Sequence, residues 1–373
     1  MKYIDEFRKK EPARALFKEI EAISKKEATI MEICGTHTHS ISKYGIRGNM
    51  PKNLKLISGP GCPVCVTSQS DINRIVEFSR REKAAIIATF GDMLRVPGSF
   101  SSLEKERARG ADIRVVYSAL DTITIAKENP RKEVVFYAVG FETTAPTVAA
   151  TVVAAKKMNL KNFSIVSLHK LTPPAMRALV ASGNINIDGF IAPGHVTSII
   201  GAKSYSFLSN EYNLPCVVAG FEPLDCIYGI YMLVRQINEG RHDIEIEYKR
   251  VVTWEGNKKA QAVVNEVFQA ADAGWRGIGN IPGSGLRVRE GFSDFDCEKR
   301  FDMGKGESAE DDLKGCACGM VLKGLVAPPE CVLFRTVCRP ESPKGPCMVS
   351  SEGTCAAYYK YEAGDFLRSG AYE

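Results

Sequence analysis

From residue 28 to about residue 240 the chain repeats one local pattern: a short β-branched and apolar run, then a glycine or proline, then a segment of helical spacing. The runs are ATIMEI (28–33), LKLIS (54–58), AAIIATF (84–90), DIRVVY (112–117), EVVFYAVG (133–140), FSIVSLH (163–169), IDGFIAPG (187–194) and PCVVAG (215–220). Helical periodicity occupies 68–82, 101–109, 118–129, 146–159, 173–182, 196–211 and 223–239, and an amphipathic helix is expected over 3–26. Near-continuous apolar strands alternating with helices predict parallel sheets covered by helices on both faces. The spacing fits two similar α/β units, 28–131 and 132–245, with a single larger sheet as the alternative.

Four of the runs end alike, in glycine followed by an acid or a histidine: Asp92, Glu142, His195 and Glu222. In open α/β sheets, ligands bind outside the carboxyl ends of the strands. Asp92, Glu142 and His195 are therefore candidate acid/base or supporting groups around one crevice, with helix capping as the competing role for each. Beyond residue 246 the alternation fades. A helix is expected at 257–274, then a turn-rich loop in GWRGIGNIPGSGLRV, whose glycines match no nucleotide fingerprint.

The cysteines are distributed unevenly. Of twelve, six fall between residues 316 and 355, three lie at 34, 62 and 65, and none lies between Cys65 and Cys216. Cys316, Cys331, Cys338 and Cys355 are spaced C-x14-C-x6-C-x16-C in a segment of low apolar content. Four thiolates on irregular backbone hold zinc or an iron-sulfur cluster. Structural zinc sites usually pair their cysteines as C-x2–4-C, and the tail has no such pair, which favours [4Fe–4S]. Bound metal would then hold together a segment that lacks a hydrophobic core.

In GPGCPVCVTSQSD, Cys62 and Cys65 form a C-x-x-C after a strand and ahead of a helix for which Ser68 or Ser70 is the expected cap. This is the arrangement of a redox dithiol, with half of a zinc knuckle as the competing reading. In ICGTHTHS, Cys34 ends a strand, and His37 and His39 would face the same side of an extended loop. Cys34 with one histidine suits a soft transition metal such as Fe(II). Cys216, Cys226, Cys297, Cys318 and Cys347 are expected to be core or incidental thiols.

Composition limits the partners. The net charge of +5, from 49 basic and 44 acidic residues, comes without a basic stripe, so nucleic acid is not expected. No apolar run is long enough to span a bilayer, and the N-terminus MKYIDEFRKK lacks the apolar core of a signal peptide. A cytoplasmic protein is the expectation, and in that compartment clustered cysteines point to metal or catalysis.

Eight stretches together resemble the HypD family of [NiFe]-hydrogenase maturation factors. They are CGTHTHSISKYGI (34–46), GPGCPVCVT (59–67), FGDMLRVPG (90–98), VGFETTAPT (139–147), APGHVTSIIG (192–201), VAGFEPLD (218–225), the C-x14-C-x6-C-x16-C set and CMVSSEGTCAAYY (347–359). The resemblance implies two α/β units plus a loop-rich iron-sulfur cluster domain formed by 1–27 and 246–373. It implies a scaffold on which iron receives cyanide and carbon monoxide before delivery to the hydrogenase large subunit. The partners implied are a small HypC-type chaperone and a HypE-type cyanide donor. Cys34 would bind the iron together with a cysteine of the chaperone, and His37 would lie beside it. Cys62 and Cys65 would be the redox dithiol. Cys316, Cys331, Cys338 and Cys355 would hold the [4Fe–4S] cluster, with Cys318 or Cys347 as competitors for the fourth ligand position. Two other classes of function stay open: an iron-sulfur-dependent protein disulfide reductase, and a zinc-stabilised binding module.

Overall fold

The computed structural model of the chain describes residues 5–304, 306 and 315–362. Eleven strands follow in order: β1 (Ala28–Glu32), β2 (Leu54–Ser58), β3 (Ile86–Thr89), β4 (Asp112–Val115), β5 (Val134–Ala138), β6 (Phe163–Ser167), β7 (Gly189–Pro193), β8 (Cys216–Ala219), β9 (Ile244–Ile246), β10 (Phe268–Trp275) and β11 (Gly279–Val288). They build a five-stranded sheet ordered β2-β1-β7-β8-β9, a four-stranded sheet ordered β4-β3-β5-β6, and the two-stranded ribbon β10-β11. Both larger sheets are parallel throughout. All eight apolar runs read from the sequence are strands. The central ones are apolar along their length because helices cover both faces; every residue of β5 and β7 is buried.

The sheets share out these strands differently from the contiguous division at 131/132. The chain makes β1 and β2, leaves to build the whole four-stranded unit with β3 to β6, and returns to complete the first sheet with β7 to β9. Local pattern identifies a strand but not its neighbour, so an insertion of this kind does not show in periodicity. The terminal segments are also divided. Helix Lys10–Ile23 buries Ala13 and Ile20 against Val217, Ile227 and Ile230 of the five-stranded unit. Helix Lys258–Val267 and the ribbon pack on the four-stranded unit, where Val267, Phe268, Leu286 and Val288 join Ile86, Phe136 and Phe163 in one core. Each such buried Val, Leu, Ile or Phe contributes about 1.5–3 kcal/mol.

The expected helix over 257–274 stops at Val267, and the expected turn-rich loop after it is the second strand of the ribbon. The register shift between Ala271 and Ala273 marks a bulge in β10. Among the described residues no helix is long and apolar enough to cross a membrane.

Candidate metal centre and the cysteine groups around it

The five-stranded sheet places its first strand between its second and its third, so the chain turns in opposite directions from β1 and from β7. Such a switch point opens a crevice at the carboxyl ends of the two strands. Cys34 stands there, extended at φ −159° and ψ 125°, as the residue that starts helix Gly35–Lys43. Its thiol is half-buried. Three loops converge on it. The Gly35 amide donates to the Gly61 carbonyl at 2.9 Å. A Cβ on Gly61 would lie 2.2 Å from the Cys34 nitrogen, and one on Gly35 would lie 2.5 Å from Cβ of Glu352. Both glycines are needed for close approach of backbone rather than for unusual dihedrals.

The polar groups at this point are fixed from below. Glu32, buried at the end of β1, accepts the Cys34 amide at 2.9 Å and the Thr38 hydroxyl, and burial raises its carboxyl to about 7. Burial first, and then the nearby Glu352 charge, push the Cys34 thiol up to about 12. His37 is buried, and its Nε2 lies 2.8 Å from the Gly220 carbonyl. A carbonyl only accepts, so Nε2 carries the proton. Nδ1 is then a lone-pair acceptor, and it is buried without a partner. Burial lowers His37 to about 4, which keeps the ring neutral. A half-buried thiol at the start of a helix whose first turn carries a neutral imidazole with an unused lone pair suits a soft divalent metal.

His37 and His39 do not share a side, contrary to the extended loop expected. CGTHTHS is helical, and two residues of an α-helix turn through about 200°. His39 points to the C-terminal segment, with Nδ1 3.4 Å from the Ser351 carbonyl and its ring edge-on to Tyr361.

Cys62 and Cys65 form a disulfide, buried at 3% and 0% exposure. The pair makes its own helical turn, Pro63–Val66, and Cys62 Sγ accepts the Cys65 amide at 3.1 Å. Ser68 caps the next helix, Gln69–Arg81, through the Asp71 amide at 3.1 Å. On its far side Cys65 Sγ lies 3.9 Å from the Pro346 carbonyl, at the start of helix Pro346–Val349.

That helix opens onto a pocket lined by all six C-terminal cysteines, with Val321, Phe334 and Met348 as its apolar wall. Cys316, Cys331, Cys338 and Cys355 are brought together here, as their spacing suggests. Cys318 and Cys347, expected to be core or incidental thiols, are buried in the core and brought to the same place, with their sulfurs 3.0 Å apart. The pocket is walled by carbon and sulfur, and that donor set fits an iron-sulfur cluster. Among the described residues no three His, Cys, Asp or Glu side chains are drawn in closely enough to hold a single ion.

The remaining strand-end candidates separate. The four-stranded sheet repeats the switch-point order, and its crevice, about 600 Å³, has half-buried Asp92 and Thr144 and exposed Tyr117 on its walls, with Pro63 and Val64 of the disulfide turn among its lining. Glu142 is buried away from solvent. It accepts the Thr172 amide at 2.7 Å and the Thr172 hydroxyl at 2.9 Å, so it caps helix Thr172–Ser182 across the fold rather than its own following helix. Burial raises its carboxyl to about 7. His195 packs on Phe221 with ring centroids 4.1 Å apart, and His37 stacks on the same ring at 4.7 Å. His195 thus borders the Cys34 crevice, whereas Asp92 and Glu142 belong to the other unit. Sequence reasoning passed over Glu32 and Phe221, and it named Cys318 and Cys347 without their contact with each other. The acid inside an apolar strand, ATIME, was the available signal for the first.

Comparison with known proteins agrees with these motifs. The HypD family model, described as the hydrogenase formation hypA family, matches residues 11–362. Hydrogenase maturation factor HypD2 of Bradyrhizobium diazoefficiens is 49% identical over 371 residues, covering 97% of each chain. The maturation factors HypD of Cupriavidus necator and Azotobacter vinelandii are 47% and 46% identical, each again over 97% of both chains. The chain belongs to the HypD family of hydrogenase maturation factors.

Proposed function

We propose that this protein is a cytoplasmic assembly scaffold on which an iron ion acquires cyanide and carbon monoxide ligands for a [NiFe]-hydrogenase. The observation that carries the reading is the Cys34 crevice: a half-buried thiol that starts a helix whose first turn carries a neutral imidazole with a buried, unpartnered Nδ1. Iron is the cargo. Cys34 binds it as thiolate, because coordination to a cation removes a thiol proton that burial otherwise retains. His37 borders the ion from the crevice wall. A cysteine of a small HypC-type chaperone completes the sulfur ligation from outside, a HypE-type partner delivers cyanide, and the chaperone carries the finished group toward the hydrogenase large subunit.

Cys316, Cys331, Cys338 and Cys355 would hold a [4Fe–4S] cluster, which when bound supplies electrons one at a time. The chain's own part in the redox chemistry is the disulfide. Cys62–Cys65 takes up two electrons and two protons, its S–S bond breaks, and two thiols form. Cys318 and Cys347 stand in the pocket that adjoins Pro346, and so border the path between the quartet and Cys65. In this reading, reduction of Cys62–Cys65 gates iron loading. Replacing Cys62 with serine should abolish assembly of the ligated iron while cluster content stays intact. Normal assembly in Cys62→Ser protein sinks the gate.

The proximity of the disulfide to the cysteine pocket also favours a second reading, an iron-sulfur-dependent protein disulfide reductase. Cys34→Ala separates the two. A reductase keeps its activity toward partner disulfides in that variant, and a scaffold loses its iron.

A further inference from the structure

The tip of the β10–β11 ribbon, Trp275-Arg276-Gly277, touches both sulfur-bearing segments at once, and nothing in the proposed chemistry uses it. Arg276 is 1% exposed. Arginine is almost never buried this deeply unless its donors are taken up. Its amide donates to the Val66 carbonyl at 2.9 Å, Nε to the Thr67 carbonyl at 3.1 Å, and Nη1 to Gln69 Oε1 at 3.0 Å. Val66 and Thr67 are the C-terminal end of the disulfide turn. A four-residue helix cannot fix its own direction, because nucleation alone is unfavourable. The guanidinium holds that end through the carbonyl of Thr67, the residue that closes the turn, and through the Gln69 side chain beyond it. Trp275 pairs with Thr67 in an isolated antiparallel bridge. Its indole is anchored in turn, donating to Ser284 Oγ at 2.8 Å and stacking on Phe141.

Gly277 faces the other segment. At φ +70° it sits in the left-handed region, and a Cβ there would lie 2.2 Å from Cα of Gly319, the residue after Cys318. Backbone meets backbone at that contact, so no side-chain rotation relieves an added methyl.

We propose that Arg276 and Gly277 are positioning residues that set the Cys62–Cys65 turn in register with the cysteine pocket. This rests on the proposed relay between the two sulfur groups. With Arg276 in place, the disulfide stays shut against solvent and aligned with Pro346. Without it, the turn swings open, which exposes the disulfide to solvent thiols and takes it out of line with the pocket. The two consequences have opposite signs: faster reduction from solvent and slower reduction through the pocket.

The test uses the full chain, purified anaerobically with its disulfide oxidised, as wild type, Arg276→Gln, Arg276→Lys and Gly277→Ala. Alkylation with mass spectrometry follows reduction of Cys62–Cys65 in two arms. In the first, dithiothreitol is the reductant; it gives two electrons and two protons to the disulfide and becomes a cyclic disulfide. In the second, a photoreduced deazaflavin supplies electrons singly, two per disulfide with two protons from solvent. The rate seen in cluster-free Cys316→Ser protein is subtracted. Arg276→Gln should speed the first arm and slow the second, each about tenfold, the scale of losing hydrogen bonds from one buried charged group. Arg276→Lys, which keeps the charge but not the fork, should recover part of both effects. Gly277→Ala should slow the second arm without matching acceleration of the first. Rates that move together, or do not move, overturn the proposal. If the wild type shows no cluster-dependent reduction, the relay itself fails, and the first arm still decides whether Arg276 clamps the turn.

Discussion

At the carboxyl end of β1 the five-stranded sheet presents Cys34, Glu32 and His37, closed over by the Gly61 and Glu352 loops. At the carboxyl end of β3 the four-stranded sheet presents Asp92 in an open crevice of about 600 Å³ walled by Tyr117 and Thr144. The strand order that makes the two crevices is the same. What differs is donor type. The first gathers a thiol, a neutral imidazole and a buried carboxyl. The second offers hydroxyls and one half-buried carboxylate to solvent. Topology supplies a place to bind, and side chains at the strand ends decide what chemistry it has. The same strand-end pattern that marks Glu142 in the sequence is spent on a helix cap, because its carboxylate is already engaged by Thr172.

The comparison breaks most sharply on iron. Cys34→Ala should remove the cargo iron while iron in the cysteine pocket stays, whereas Asp92→Asn should leave both unchanged; iron analysis beside the cluster absorbance of the two proteins co-purified with the chaperone decides this. Equal losses would dissolve the distinction between the crevices. Within the cysteine pocket, serine at Cys316, Cys331, Cys338 or Cys355 should each abolish the cluster chromophore. Serine at Cys318 or Cys347 should retain it and slow reduction of Cys62–Cys65 instead. Loss of colour in either of the last two would move that residue into the ligand set.

A smaller effect concerns Glu142. Its carboxyl binds a proton more tightly folded, at about 7, than at the ordinary 4.5. Its stabilising contribution is therefore complete below about 4.5 and is lost as pH rises through about 7. Glu142→Gln should flatten the fall in urea-unfolding stability across that window, and Glu142→Ala should cost about 1–3 kcal/mol below it. Unchanged pH dependence in the Gln variant contradicts burial as the cause of the raised carboxyl. The smallest effect expected is that of Phe221→Ala, about 1–2 kcal/mol for a half-buried ring that packs on two histidines, read by the same unfolding curve.

The parallel α/β character was legible because burial on both faces writes strands as unbroken apolar runs, and EVVFYAVG is the clearest. The insertion of one unit into the other was not, since no local pattern says that β7 pairs with β1. The ribbon was missed because GNIPGSGLRV carries glycine and proline where strands prefer β-branched residues, and packing on the four-stranded unit overrides that propensity. THTHSIS has no apolar periodicity, so its helix, and the divergence of His37 from His39, came from position after β1 rather than from composition. The spacing of four cysteines anticipated their convergence. The place of Cys318 and Cys347 among them depends on helix Pro346–Val349 folding back beside the disulfide turn, a tertiary contact that spacing does not encode.

The most direct test of the scaffold is infrared spectroscopy of the protein isolated anaerobically with its small chaperone and a cyanide donor. The account predicts cyanide and carbonyl stretches in the wild-type complex and none in Cys34→Ala. The same bands persisting in Cys34→Ala, or their repeated absence from iron-loaded wild-type complex, would contradict it.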